Sequence, residues 1–414
     1  MKIALIAEHA TPLPAHKGEP TCGDSVHVAA LARHLAKQGH RVTVYARRAA
    51  ADAPERARMG RGVMVEHLAA GPERPLTEDE AADHTGAFAT ALADRLTADA
   101  PEVLHSIGWT SGLAALSAAR QCEEHTGTLP IVQTFHSLNV AEQRAGRPER
   151  TDRARLEAAI ARRVDAVVVN SADQRFELAR MGVPRGNVSV VPFGVETDQF
   201  APEGGTAAGP WHGRRDDRTR IITIAPLSDG GVETLIEAMV RLPEAELAVI
   251  AGPAPVEPAL DDNARRLELL AKEAGVDDRV TITGPVERKD LPRLLRSADL
   301  YVSAAGYDPY GGGVLEAMAC GLPVVARAVG GVTGAVLHGT TGTLLRWARP
   351  ETLARAVRSL LGEATMRTAY GIAGADRAAS RFCWQRVAQE TALVYERMLP
   401  GEGAMPTAVG DDAH

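Results

Sequence analysis

Residues 307–321 read YDPYGGGVLEAMACG. Three consecutive glycines, Gly311, Gly312 and Gly313, are a costly way to continue a helix or strand, because each loses more backbone freedom on folding than any other residue. They suit a place where a ligand approaches bare backbone. Behind them Val314, Leu315, Ala317, Met318 and Ala319 form an apolar run that Gly321 and Pro323 stop, the pattern of a buried helix. Glu316 is the one carboxylate inside that run. A loop opening into a helix N-terminus offers unpaired N–H groups and a positive dipole end, which favours an anion such as phosphate. Taken alone, the stretch also reads as a glycine-rich turn with a solvated Glu.

Outward from this stretch, short β-branched runs alternate with helix-length amphipathic segments. KIALIAE, a helix from about Asp24 to Gln38 and RVTVYAR make a β-loop-α-β unit whose helix starts just after Gly23. Strands are expected at 102–107, 130–136, 166–171 and 188–194, and helices at 81–98, 110–125, 152–163 and 173–181. Residues 196–218 are rich in Gly, Pro and charge and read as a linker. The pattern then restarts with RIITIAPL, helix 232–240, AELAVIAGP, helix 260–273, RVTITG, helix 289–297, LYVSAAG, helix 312–320 and PVVAR. Such alternation implies an α/β protein of two Rossmann-like, doubly wound parallel sheets, 1–195 and 219–380. Residues 381–399 are expected to form a closing helix packed back on the N-terminal domain, and 400–414 a disordered tail. Ligands of such sheets sit at the strand C-terminal ends, so Gly23, His105, His136, residues 228–231, Gly284 and the 306–316 loop should converge on one cleft between the domains.

A chain of 414 residues with 45% hydrophobic and 24% charged residues is long enough for two ordinary globular domains. The net charge of −7 and the lack of a long basic run disfavour a nucleic-acid partner. Cys22, Cys122, Cys320 and Cys383 are far apart and form no C-x-x-C pair, which argues against zinc and a disulfide framework and fits a reducing cytoplasm. The N-terminal apolar run is a strand, not a signal peptide, and no segment approaches the ~18 apolar residues of a membrane helix. The expectation is a cytoplasmic protein with no integral membrane segment; the sequence leaves a homo-oligomer open.

Several chemistries are absent by motif. There is no G-x-G-x-x-G dinucleotide fingerprint, no P-loop, no G-x-S-x-G elbow and no H-E-x-x-H. No D-x-D follows a strand, so nothing suggests a metal bridging a diphosphate. What remains is one cleft with two glycine-rich helix starts, Asp308 and Glu316 eight apart, and His136 at a strand end. On residues alone His136 is as readily structural as functional, and Asp308 as readily a loop acid before Pro309. These features support a phosphorylated ligand between two Rossmann domains.

SAAGYDPYGGGVLEAMACGLPVVARAVGG resembles the signature of the retaining GT-B glycosyltransferases of family 4 (glycosyltransferase group 1). The likeness extends to GDSVHVAALARHLAKQGHRVTVYAR, QTFHSLN, VDAVVVNSADQRFELARMGVPRGNVSVVPFGVETDQF and the closing RFCWQRVA. It implies transfer of a sugar from a nucleoside diphosphate (GDP or UDP) to a small-molecule acceptor, with retention, without metal or other cofactor. In that resemblance the N-terminal domain takes the acceptor and the C-terminal domain the nucleotide sugar. Glu316 would accept hydrogen bonds from the ribose hydroxyls. Asp308, the first acid of the family's acid-x7-acid pair, would hold the transferred sugar, and His136 would sit near its reactive carbon. Backbone N–H groups of Gly311, Gly312, Gly313 and Val314 would bind sugar and phosphate. Gly23 would admit the β-phosphate, and Gly284 and Val286 would line the base. His105, Trp109 and Asn139 would face the acceptor. Catalysis would be mainly electrostatic stabilisation of the departing diphosphate.

One departure is serious. Where the family carries Arg and Lys to clamp the diphosphate, this chain has Pro226 and Gly230, and no basic residue lies between Arg220 and Arg241. Losing such a charged partner costs about 2–5 kcal/mol. Lys17, Arg144, Arg147 and Arg288 are the candidate replacements. An atypical donor loop also suits an unusual donor or a thiol acceptor in antibiotic or other specialised-metabolite biosynthesis. The alternative is a pseudo-glycosyltransferase that binds a nucleotide sugar or a partner protein without efficient transfer. A sugar-nucleotide epimerase and a phosphorylase share the architecture; the first wants more cleft acids and His, the second a lysine for pyridoxal phosphate. The seven Arg between Arg144 and Arg163 form either a solvated helix face or a contact for an anionic acceptor.

Overall fold

The computed structural model describes residues 1–13, 23–147, 151–211, 218–228, 231–251, 261–284 and 286–399. The N-terminal sheet contains β1 (Lys2–Ile6), β2 (Arg41–Arg47), β3 (Arg56–Gly60), β4 (Val63–Leu68), β5 (Val103–Ile107), β6 (Ile131–Phe135), β7 (Ala166–Val169) and β8 (Val188–Val190). Its spatial order is β3-β4-β2-β1-β5-β6-β7-β8. The C-terminal sheet contains β9 (Thr219–Ala225), β10 (Ala245–Ala251), β11 (Val280–Thr283), β12 (Leu300–Ser303), β13 (Val324–Arg327) and β14 (Gly342–Leu345), in the order β11-β10-β9-β12-β13-β14. Every pairing is parallel except the edge pair of β3 and β4.

The inner strands are buried on both faces, hence their near-continuous Val, Ile and Leu. In each sheet the strand order reverses beside the first strand, between β1 and β5 and between β9 and β12. The crevice outside the strand ends opens at such points. Glu8 and His9 follow β1, Gly108 and Trp109 follow β5, and His136 and Ser137 follow β6. Pro226 follows β9, and the loop carrying Tyr307–Gly311 follows β12.

Several elements differ from the sequence expectation. β3 and β4 were not anticipated, nor were β14 and the helices Pro350–Leu361 and Ala364–Arg381. The expected helix 81–98 is two, Glu78–Ala82 and Thr85–Asp99, with Thr77 forming a capping box on the first. The closing helix spans Trp384–Glu396, and the chain breaks before it at Phe382 and Cys383. There Val195 N–H donates to Phe382 O at 2.8 Å, and Val195 bridges Cys383. The closing helix lies on helix Gly23–Lys37, burying Trp384, Val387, Ala388 and Tyr395 against a core that includes Val28, Leu31 and Leu35.

The described part of the segment read as a linker, 196–211, is tied to the C-terminal domain. Arg296 donates to Ala201 O and Gly205 O at 3.0 Å each, and Trp211 Nε1 to Ser297 Oγ at 3.1 Å. The expected tail lies outside the described residues, as does Lys17.

Candidate functional site

The glycine turn is built as a helix start. Gly311 has φ +66° and precedes helix Gly312–Ala319; Asp308 Oδ1 accepts from Gly311 N–H at 2.7 Å and Tyr310 N–H at 3.2 Å. Asp308 thus turns one carboxylate oxygen back on its own loop while lining the cleft. Burial raises its pKa, and those two N–H donors only partly offset it. Gly313 has no room for a side chain, since a Cβ there would lie 2.5 Å from the Tyr301 hydroxyl. Gly312 would admit a Cβ in ordinary contact, its nearest neighbour being Phe193 at 3.6 Å.

One turn into the helix, Glu316 is 8% exposed and accepts from Arg288 Nη1 at 2.7 Å. Burial pushes its carboxyl up and Arg288 counteracts this. Arg288 also lies over the Phe200 ring at 5.0 Å. Its guanidinium is therefore engaged with the Glu316 carboxylate, whereas sequence reasoning had offered it to the diphosphate. Val314 is fully buried, so only its backbone is available to a ligand.

Opposite, Gly23 opens helix Gly23–Lys37, and a Cβ on it would lie 2.8 Å from the Tyr310 ring. Asp24 is the hub of this wall. Its Oδ1 accepts from His136 Nδ1 and from the Tyr310 hydroxyl at 2.6 Å, and its Oδ2 faces His9 Nε2 at 3.3 Å. Burial alone would raise the Asp24 pKa, yet His136 and His9 hold it well below the carboxylate range. Burial would lower that of His9, but Asp24, Glu78 and Glu8 raise it. His136 Nε2 is buried with no hydrogen-bond partner among the described residues. His27 packs edge-on against His136 at 4.4 Å; burial keeps His27 neutral, its pKa far below the usual imidazole value.

The two walls enclose a cleft of about 490 Å³, lined by Gly23, Ser137 and Arg147 from one domain and Pro226, Arg288 and Glu316 from the other, with Tyr307–Tyr310 between them. Arg147 also lies over the Tyr307 ring at 5.4 Å.

Other predicted residues lie elsewhere. His105 is 1% exposed, with Nε2 2.6 Å from Thr134 Oγ1 and Nδ1 2.7 Å from the Tyr395 hydroxyl. It ties β5 and β6 to the closing helix and does not face the cleft. Burial drops its pKa to about 3. Trp109 packs in the cluster that holds Phe88, Leu92 and Ile160, and Asn139 is fully buried with its N–H on Glu157 at 2.9 Å. Neither lines the cleft. Arg144 pairs with Glu177 at 3.0 Å and borders a separate cavity of about 240 Å³ across the 307–309 loop. Gly284 and Val286 follow edge strand β11, and Arg288 rather than either of them lines the cleft on that side.

Sequence reasoning missed Asp24, His9 and His27, and gave Tyr310 no partner. Asp24 adjoins Gly23 and Tyr310 adjoins Gly311, the one local signal available; His9 and His27 carried none. Among the described residues no group of His, Cys, Asp or Glu is placed to hold a metal, and no helix is long and apolar enough to cross a membrane.

Residues 22–199 match the family model described as Glycosyltransferase Family 4, and residues 211–377 that described as Glycosyl transferases group 1. A D-inositol 3-phosphate glycosyltransferase of Geodermatophilus obscurus is 31% identical over 97% of this chain and 92% of its own length. A D-inositol 3-phosphate glycosyltransferase 2 of Catenulispora acidiphila is 30% identical over 96% and 95%. Among solved structures, sucrose-phosphate synthase from Thermosynechococcus elongatus superposes with a TM-score of 0.84 at 26% identity, over 96% of this chain and 98% of that one. HepE of Anabaena, in complex with UDP-glucose, shares the fold with a TM-score of 0.70 at 18% identity, over 95% and 98%. With two Rossmann-like domains, a glycine-capped helix facing the cleft and these relatives, the chain belongs to the GT-B glycosyltransferases of family 4 and is a transferase of nucleotide-sugar donors.

Proposed function

We propose that the protein moves a sugar from a UDP- or GDP-sugar to a hydroxyl of a small polyol, with retention at the anomeric carbon. The observation that carries this reading is Glu316 buried one turn behind the Gly311–Gly313 helix start, in a cleft also lined by Tyr310, whose hydroxyl donates to Asp24 of the Asp24–His136 pair. In this reading the diphosphate meets the helix N–H groups of Gly312 to Val314, the ribose hydroxyls meet Glu316, and the sugar extends toward Asp308 and His136. HepE, of the same fold, is solved with UDP-glucose, which supports the donor class. The relatives' names support a polyol acceptor.

Pro226 lines the cleft where the resemblance would put an arginine. That leaves Arg147, Arg288 and the helix dipole as the described positive groups around a diphosphate, and Arg288 also answers Glu316. This favours, as the second reading, a protein that binds the donor and transfers little. Both readings are tested by incubating the protein with UDP- and GDP-sugars and a polyol panel, and recording products by NMR. A glycoside with the donor's anomeric configuration is expected. An inverted product would remove the retaining mechanism, and donor binding without product would select the second reading.

A further inference from the structure

Arg153 is 8% exposed and lies at the acceptor side of the cleft, behind Ser137 and Glu142. A guanidinium has five N–H donors. Here Nε donates to Glu157 at 2.8 Å, Nη1 to Glu78 at 3.0 Å and Glu142 at 3.3 Å, and Nη2 to Ser137 Oγ at 3.0 Å and Glu142 at 3.3 Å. Five donors meet five acceptors, so no N–H of Arg153 is left for a ligand phosphate. Three carboxylates surround this one cation. Burial pushes the Glu157 carboxyl up to about 7, while Glu78, Glu157 and Glu142 all act on the charge of the Arg153 guanidinium.

A second, independent feature adjoins it. Beyond the C-terminal ends of β1 and β5, both carboxylate oxygens of Glu8, His9 Nδ1, Thr110 Oγ1 and Trp109 Nε1 are buried without hydrogen-bond partners among the described residues. Glu8 is 1% exposed and Thr110 fully buried; burial raises the Glu8 pKa, and Thr110, His9, Arg47 and Thr85 beside it offset this only in part. Buried polar atoms left unpaired in such number at two neighbouring strand ends, behind the residues that line the cleft, mark a place where a ligand or water completes the hydrogen bonding. Glu8 contributes two acceptor oxygens and Thr110 a hydroxyl that can accept or donate, whereas Trp109 Nε1 only donates. His9 links the two features, because Glu8, Glu78 and Asp24 all act on its charge.

We propose that the acceptor subsite takes an amine-bearing, non-phosphorylated polyol. This rests on the transferase reading above and departs from the phosphorylated acceptor in the relatives' names. An ammonium brings three donors and one positive charge to a wall where Glu78, Glu142 and Glu8 supply carboxylate oxygens. A phosphate would add two negative charges beside Glu78 and Glu142 with no Arg153 N–H to receive it, and like charges brought together there are repelled.

The test is calorimetric titration of the nucleotide-saturated protein with three ring-matched probes: an amino-deoxyinositol, myo-inositol and D-inositol 3-phosphate. The amine is expected to bind about tenfold tighter than inositol, as charge-assisted hydrogen bonds allow, and the phosphate no tighter than inositol. Glu8→Gln should erase the preference for the amine. Glu78→Ala, at a partly exposed residue, releases one Nη1–H of Arg153 and should improve phosphate binding several-fold. The proposal is overturned if the phosphate binds best to the unmodified protein, if no probe binds, or if neither substitution changes the ranking. Nucleotide affinity, measured in the same titrations, separates the two readings: its absence would undo the donor site, not the acceptor class.

Discussion

Replacing Glu316 by Gln keeps the shape of the buried side chain and removes its charge. In the native protein the carboxylate is 8% exposed and receives one hydrogen bond from Arg288 at 2.7 Å. Its remaining lone pairs are directed at the ligand in the proposed pose. Charge-assisted hydrogen bonds contribute about 1.5–3 kcal/mol each, and Gln retains one acceptor oxygen, so the net loss should be about one such bond, or roughly 10- to 150-fold in nucleotide affinity. The Arg288 side chain is 40% exposed, so water solvates it in the variant and the fold should survive. The assay is titration with UDP or GDP and with the corresponding 2′,3′-dideoxy nucleotide. Native protein should prefer the ribonucleotide, and E316Q should keep only a reduced preference. If E316Q binds the ribonucleotide as tightly as native protein, or keeps the same discrimination, Glu316 does not hold the ribose.

Further outcomes follow from other residues. Asp24→Asn removes the charge shared by His136, Tyr310 and His9 and should slow transfer by about 10²-fold. Because the Asp24 pKa is depressed in the fold, its stabilisation is present above the unfolded value and is lost as pH falls through the folded one; the stability gap to D24N should therefore shrink on acidification, as denaturant titration would reveal. His105 stays neutral down to about pH 3 in the fold, while an unfolded histidine protonates near 6.5. His105→Phe should thus gain on the native protein by about 1.4 kcal/mol per pH unit between pH 6 and 4, and a flat difference would show that His105 is not buried neutral. Gly313→Ala places a Cβ 2.5 Å from the Tyr301 hydroxyl and should destabilise by about 1–3 kcal/mol, measurable as a lowered Tm; Gly312→Ala, with 3.6 Å to Phe193, should fold normally.

The parallel cores were legible because strands buried on both faces leave unbroken β-branched runs, and their helices carry one apolar stripe. β3 escaped because RARMG is a half-exposed edge strand whose short alternation offers only Ala57 and Met59 as apolar residues and no β-branched run. The break at Phe382 and Cys383 escaped because both residues continue an apolar period; only the long-range pairing of Val195 with this corner identifies it. In the site, Glu316 and the glycines could be read locally, since their signal lies in one stretch. His105 misled because strand-end position does not reveal a partner such as Tyr395, which comes from 290 residues away. The role of Asp24 was missed for a related reason. It stands beside Gly23, but its three partners come from three separate loops, after β1, β6 and β12.

The donor site is tested most directly by equilibrium titration of the protein with UDP, GDP and ADP beside UMP, GMP and AMP. A site made of a helix N-terminus and cleft arginines should favour one base and bind its diphosphate at least about tenfold tighter than its monophosphate. Equal affinity for diphosphate and monophosphate, whichever the base, would contradict a nucleotide-sugar donor held at Gly311–Glu316.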